Sequence, residues 1–185
     1  AIYTVTHSSA SSQDVSYKLD NKKVTKVVIP KTITVDGVTY KVTSVQSGAF
    51  KNHKNLKEFT IGTNVKSIGK NAFSGCKKLT TVKMGKNVTS IGENAFYNCI
   101  ALKKIEIPAK VNKIGAKAFY NCKKLTNITI KTTKLTTKNV GKKAFTKAGS
   151  NNYKKLIVKV PKSKLTTYKK MLNKSGLSDK AKVTK

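Results

Sequence analysis

A chain of 185 residues suffices for one or two domains, and 39 basic against 7 acidic residues give it a formal charge of +32. All 39 are lysine; without arginine the chain lacks the planar, bidentate donor that reads phosphates, carboxylates and guanine edges, so the charge favours polyanions without predicting a shaped anion pocket. No run of about 18 apolar residues predicts a membrane-spanning helix, and Ala1 opens straight into Ile2-Tyr3-Thr4-Val5, so any export signal is expected to have been removed.

Residues 1–41 read as an N-terminal cap that covers the exposed edge of a repeat array beginning at residue 42. Val24, Val27, Ile29 and Pro30 keep the spacing of Leu102, Ile105, Ile107 and Pro108, which places a strand there. Upstream, the Ser-rich stretch 7–14 reads as loop. Downstream, Thr32-Ile33-Thr34-Val35-Asp36-Gly37-Val38-Thr39-Tyr40 sets two alternating segments around Asp-Gly, which predicts a β-hairpin.

From residue 42 a single period takes over. Phe50, Phe73, Phe96 and Phe119 recur every 23 residues. So do Val45/Ile68/Ile91/Ile114, Ala49/Ala72/Ala95/Ala118, Leu56/Leu79/Leu102/Leu125, Phe59/Val82/Ile105/Ile128 and Ile61/Met84/Ile107/Ile130. Such self-similarity predicts a stacked solenoid in one domain, because one coil cannot bury its apolar face alone. Four coils are expected, at 42–64, 65–87, 88–110 and 111–133. Each carries a strand at Leu-x-x-Ile-x-Ile, as in Leu102-Lys103-Lys104-Ile105-Glu106-Ile107, and a tight turn, with room for one helical turn, at Gly-x-x-Ala-Phe, as in Gly92-Glu93-Asn94-Ala95-Phe96. At about 4.8 Å per strand, four coils span about 15 to 20 Å.

Beyond residue 133 the register slips. Val140 and Phe145 come 26 residues after Ile114 and Phe119, and Gly149-Ser150-Asn151-Asn152 adds a loop, so 134–161 reads as a deformed fifth coil. Residues 162–185 read as a cap helix and tail. Leu165, Tyr168, Met171 and Leu172 fall at helical spacing behind Ser163 as N-cap, and Gly176 supplies the stop. Lys164, Lys169, Lys170 and Lys174 are expected to point outward.

Written as Leu-x-x-Ile-x-Ile-x-x-x-Val-x-x-Ile-Gly-x-x-Ala-Phe-x-x-Cys-x-x, the repeat closely resembles the BspA-like class of bacterial leucine-rich repeats over residues 42–133. The resemblance implies a leucine-rich-repeat solenoid, α/β or mainly β. Such a chain is a right-handed superhelix with a parallel β-sheet on its concave face, here with an N-terminal β-hairpin cap and a C-terminal cap helix. It also implies a secreted or wall-attached bacterial protein with roles in adhesion or protein contact, and no catalysis. Some positions depart from the pattern: Gln46 stands for the family Gly, His53 for the Cys, and Gly62 and Gly85 for the Pro seen at Pro108.

Cys76, Cys99 and Cys122, with His53 in the same slot one coil earlier, make a column that superficially suggests metal. At about 4.8 Å per coil its outer members lie about 15 Å apart, whereas zinc needs four atoms converging within about 2.3 Å. Buried free thiols are expected, with a disulfide between neighbouring coils as the alternative. His7 and His53 lack a Ser, Cys or carboxylate partner at a suggestive spacing, and the scattered carboxylates offer neither an acid–base pair nor a calcium cluster. No metal, cofactor or enzymatic role is therefore expected.

Binding remains. With the apolar residues inward, the outward face of the predicted sheet carries Lys57, Glu58 and Thr60, then Thr80, Thr81 and Lys83, then Lys103, Lys104 and Glu106, then Thr126, Asn127 and Thr129. This face reads either as a contact surface or as a solvated strand face, since it has none of the Trp, Tyr or Arg anchors of tight interfaces. Tyr97 and Tyr120, each following a buried Phe, form a second candidate: a patch for a sugar or protein, or a ladder that stiffens the edge. Lysine rows are the third. Lys77-Lys78 and Lys123-Lys124 share a slot with Lys54, and Ile100-Ala101 interrupts them, which lowers repulsion between neighbouring coils. A net charge of about 2 to 8 keeps a small domain soluble, so the excess costs self-repulsion.

The expected function is a non-enzymatic extracellular interaction or adhesion module, monomeric, whose partner is a host or bacterial surface protein or glycan. The alternative is a polyanion-binding or cell-wall-attachment module whose dispersed lysines hold an anionic wall polymer or sulfated glycan. Nucleic acid is the weaker expectation, because the basic composition comes without arginine or an array of stacking aromatics.

Overall fold

The computed structural model describes the backbone at residues 2–9 and 12–18, and residues 23–185 throughout. Strands β1 (Ile2–Ser9) and β2 (Ser12–Lys18) form an antiparallel pair. Next come β3 (Lys26–Val28) and a second antiparallel pair, β4 (Thr32–Val35) and β5 (Val38–Val45). The coils supply β6 (Glu58–Thr60), β7 (Ser67–Ile68), β8 (Thr81–Lys83), β9 (Ser90–Ile91), β10 (Lys104–Ile107), β11 (Lys113–Ile114), β12 (Asn127–Ile130) and β13 (Ile157–Lys159). Helix α1 (Leu165–Lys174) and β14 (Lys182–Thr184) come last.

The expected parallel sheet is present, one strand per coil, in the order β3-β6-β8-β10-β12-β13-β14. Val27, Phe59, Val82, Ile105, Ile128 and Val158 lie side by side on its inner face, so the coil-like spacing at Val27 does mark a strand. A second parallel ladder, which the pattern does not announce, joins β2, β5, β7, β9 and β11. It uses two residues per regular coil and reaches Val140 through a bridge to Ile114. Backbone groups between the two turns of a coil need partners, and the next coil offers them at strand spacing.

The interior is a set of columns. Phe50, Phe73, Phe96, Phe119 and Phe145 stack with ring centroids 5.2, 5.0, 5.3 and 5.4 Å apart in turn, close to the spacing of strands. Phe145 takes the fifth place, so the deformed coil keeps the file despite its extra residues. One buried apolar cluster runs from Val27 to Ala181.

The stretch around Ala-Phe contains no helix; it is two tight turns. Gly48, Asn71, Asn94, Lys117 and Lys143 form one column of residues with positive φ, and Asn52, Gly75, Asn98, Asn121 and Lys147 form another. Gly and Asn adopt that conformation readily, and lysine does so only at a cost in backbone strain. In the second column Asn121 Nδ2 donates to Asn98 Oδ1 at 2.6 Å, while Asn121 Oδ1 is buried without a partner because the next rung is Lys147. Replacing Lys147 with Asn is expected to extend the amide ladder and relax the backbone. The gain is about 1 kcal/mol, read as a higher urea midpoint, and Lys147→Asp, which has no N–H to donate, should recover less.

At the N-terminal end the Asp-Gly hairpin forms as the sequence predicts. Asp36 and Gly37 have φ of 50° and 76°, the signature of a type I′ turn, with Val35 paired to Val38. Its second strand runs on to Val45 and so delivers the chain into the first coil. Stretch 7–14 corrects an expectation. It is not a loop: His7 pairs with Asp14, Ser8 with Gln13 and Ser9 with Ser12, with residues 10 and 11 outside the described set. Backbone pairing tolerates serine, and β-forming residues on both sides of the run favour it.

At the other end, α1 forms but Ser163 does not cap it. A 3-10 turn over Lys162–Lys164 follows Pro161, the N-cap is Lys164, and no side chain bonds the first turn. The stop is the one expected. Gly176, at φ 94°, donates its N–H to Asn173 O, and Leu177 donates to Leu172 O, both at 3.0 Å, which is a complete Schellman motif. The tail beyond it is a strand, β14, paired with β13. Fully buried Tyr168 fastens the helix: its hydroxyl donates to Thr132 O and accepts from Leu135 N–H, each at 3.0 Å. Tyr168→Phe strands both backbone groups, so it should cost about 2 kcal/mol in chemical denaturation.

Candidate functional site

Outward residues of the long sheet form two rows. One holds Lys26, Glu58, Thr81, Lys104, Asn127, Ile157 and Lys182; the other holds Val28, Thr60, Lys83, Glu106, Thr129, Lys159 and Thr184. All are exposed or half-exposed. No lysine lies beside a lysine in either row. Lysine alternates with threonine in Lys57, Thr80, Lys103 and Thr126 one position earlier, and at the corner leading into the sheet Ile100-Ala101 separates exposed Lys77-Lys78 from exposed Lys123-Lys124, while Lys54 shares the slot of Lys77 one coil earlier. Like charges on directly opposed strands repel. Skipping one coil sets them about 10 Å apart, about one Debye length at 0.1 M salt, and skipping two, as in both sheet rows, about 14 Å.

The glutamates fill gaps in this pattern. Glu58 meets Lys26 on the adjacent strand at 3.7 Å, Glu106 meets Lys131 at 2.8 Å, and Glu93 meets Lys70 one coil below at 2.9 Å. Exposed pairs of this kind are weak and salt-screened, so they moderate repulsion more than they stabilise. Several threonines are committed to the stack: Thr80, Thr89 and Thr126 donate to the carbonyls of Lys57, Lys66 and Lys103, one coil down, at 3.0, 3.0 and 3.2 Å. Among the sequence-derived candidates, Thr81, Lys83, Lys104 and Glu106 come together with Asn127 and Thr129 around a shallow depression of about 420 Å³.

Tyr97 and Tyr120 are brought together as well, half-buried, with centroids 5.2 Å apart and planes within 9°. Each covers one face of the other, which stiffens that edge. The sequence reading missed the outermost parts of the sheet face, Lys26, Val28, Lys159 and Lys182. It also missed Asn151 and Asn152, which border Lys123 and Lys124. Only the fold-back of their loop, which no periodicity encodes, places them there.

The cysteines are free and buried. Their thiols donate to the carbonyl of the Phe in the coil below: Cys76 to Phe50 at 3.0 Å, Cys99 to Phe73 at 3.1 Å and Cys122 to Phe96 at 3.2 Å. His53 heads the column, and its Nδ1 accepts from Leu56 N–H at 3.2 Å. No group of three or more metal-ligating side chains gathers among the described residues. Burial pushes the Cys76 and Cys122 thiols up to about 12 and Cys99 well above its ordinary value. The folded protein therefore holds these protons more tightly than the unfolded chain, whose thiols ionise near ~8.5. Their contribution is complete below about pH 8.5 and falls as pH rises from there toward 12. Urea midpoints measured from pH 8 to about 10 should fall more steeply for the wild type than for a Cys76→Ala/Cys99→Ala/Cys122→Ala variant, a difference that cancels lysine titration.

The profile described as "BspA type Leucine rich repeat region" matches residues 41–172 in six copies. The chain belongs to this family. Among solved structures it is similar to the T. pallidum leucine rich repeat protein TpLRR, at 23% identity and TM-score 0.68, over 86% of this chain and 68% of that one. A Bacteroides ovatus leucine-rich repeat protein matches at 27% identity and TM-score 0.68, over 86% of this chain and 45% of the other. A leucine rich cell surface protein of Faecalibacterium prausnitzii matches at 25% identity and TM-score 0.63, over 80% and 41%. The chain thus spans less than half the length of the last two. No curated protein matches it. Membership in the BspA-type family indicates a protein-interaction or surface module. Among the described residues no helix is long and apolar enough to cross a membrane.

Proposed function

We propose that this BspA-type chain is a non-enzymatic adhesion module of a secreted or cell-surface bacterial protein, acting as a monomer on a host or bacterial protein or glycan. In this reading residues 1–41 cap the stack, 42–133 are its regular coils, 134–161 a fifth, and 162–185 close it. The observation that carries it is the division of labour between inside and outside. Aromatic rings, thiols and several threonine hydroxyls are spent on coil-to-coil contact, whereas the wall of the long sheet presents two regular rows and a depression around Thr81, Lys83, Lys104 and Glu106. A surface location is supported by the likeness to the F. prausnitzii cell surface protein. A glycan and matrix-protein array, run at about 50 and 500 mM salt, tests it. Binding that survives the higher salt and drops in Lys83→Ala/Lys104→Ala supports adhesion through the sheet. Binding to nothing at either salt overturns it and leaves a structural spacer.

A specific observation favours a second reading, attachment to an anionic wall polymer or sulfated glycan. Lys77, Lys78, Lys123 and Lys124 have no carboxylate partner among the described residues, and the three described glutamates are all paired elsewhere. Retention on heparin that is unchanged between about 50 and 500 mM salt would exclude charge as the driver.

A further inference from the structure

We propose that the corner where the fourth coil meets loop 149–152 binds a tetrahedral oxyanion, a sulfate or phosphate ester borne on an anionic polymer. The inference rests on the polyanion reading and assigns it a site. Lys103, Lys123, Lys124, Thr126, Asn151 and Asn152 border an open notch of about 250 Å³. The break in register builds this notch. Gly149 N–H donates to Cys122 O at 3.0 Å and Asn151 N–H to Lys123 O at 3.1 Å, so the extra residues fold back onto the corner of the fourth coil and raise a wall beside it. The equivalent corners at Lys54, Lys77-Lys78 and Ile100-Ala101 belong to coils of regular length, which carry no such loop.

The wall brings two asparagines to the notch that three lysines border. Lys103, Lys123, Lys124, Asn151 and Asn152 are all exposed, and among the described residues none of their side chains is committed to a hydrogen bond or ion pair. Thr126 is different: its hydroxyl donates to Lys103 O at 3.2 Å and accepts from Asn127 Nδ2 at 3.0 Å, so it serves as wall. No carboxylate borders the notch to compete for the lysines. A sulfate monoester offers three terminal acceptor oxygens and a phosphodiester two. Lysines supply charge as mobile points, and the amides supply neutral directed donors, a combination that suits a multi-oxygen anion better than a lone charge.

Calorimetric titration with a heparin octasaccharide and with poly(glycerol phosphate), each at about 100 mM salt, tests the site and separates the two sources of oxyanion. Binding of either polymer fits the proposal and names the ester. Lys103→Ala/Lys123→Ala/Lys124→Ala should weaken binding by at least about tenfold, whereas Lys66→Ala/Lys86→Ala/Lys113→Ala, which removes equal charge from exposed positions elsewhere, should cost less than about threefold. Asn151→Ala/Asn152→Ala, which leaves net charge untouched, should cost about threefold. Equal losses in the two lysine variants overturn the site and leave the polyanion reading standing on dispersed charge. Failure of the wild type to bind either polymer overturns both.

Discussion

Phe96→Ala should cost about 3 to 5 kcal/mol, the range expected when a fully buried aromatic ring is cut back and its neighbours cannot close the gap. Phe96 lies in the middle of the file, 5.0 Å from Phe73 and 5.3 Å from Phe119, and has no exposure. Its neighbours are held at strand spacing by backbone bonds, Phe73 N–H to Ala95 O and Phe96 N–H to Ala118 O, each at 2.8 Å, so collapse into the cavity is opposed. In a solenoid each coil depends on those beside it, so a central void also uncouples the halves. Urea unfolding followed by circular dichroism should show both a lower midpoint and a shallower transition. Phe145→Ala, at the end of the file with Phe119 as its stacked neighbour, should cost less. An equal or smaller effect at Phe96 would contradict the account.

Gly92→Ala should be nearly as severe, about 3 kcal/mol or more, although it adds a single methyl group to a turn. A Cβ on Gly92 would sit 2.7 Å from Gly69 C and Lys70 N, which are backbone atoms of the coil below and cannot swing aside. Gly69, Gly115 and Gly141 meet the coil beneath them in the same way, Gly69 on Ser47 N and Gln46 C, Gly115 on Glu93 N and Gly141 on Ala116 N. The column requires glycine for close approach and not for φ. Gln46, which breaks the column in the first coil, follows β5, whose parallel neighbour on the N-terminal side is the cap strand β2 and not a strand of a 23-residue coil. Gly48→Ala is the control. Open space surrounds it and only its φ of 68° is strained, so its cost should stay near ~1 kcal/mol. A thermal midpoint for Gly92→Ala above that of Gly48→Ala would refute the contact.

What the sequence made legible was whatever repeats. The Phe file, the inner columns and the strand at Val27 follow from the 23-residue interval, and the Asp36-Gly37 hairpin from turn chemistry. The short ladder was not legible, because two residues such as Ser90 and Ile91 are too few for an alternating pattern. Helix α1 is legible in Leu165, Tyr168 and Leu172, but its start is not. Ser163 has the right side chain, yet the turn after Pro161 carries the chain past it before the helix begins. At the candidate sites, Lys123 and Lys124 could be read from their slot. Their grouping with Asn151 and Asn152 depends on where an aperiodic loop comes to rest.

The separation of lysines from coil to coil has a consequence for chain length. Packing repeats with every coil, since each Phe meets an identical Phe, but charge does not: lysine returns at every third strand in the two sheet rows and at every second coil in the row of Lys57 and Lys103. Excising residues 88–110 would leave an unbroken file of rings and bring Lys77-Lys78 directly against Lys123-Lys124. Removing that unit therefore keeps the core intact and spoils the separation of charge at the corner. The coils of such a rod are interchangeable on the inside and not on the outside.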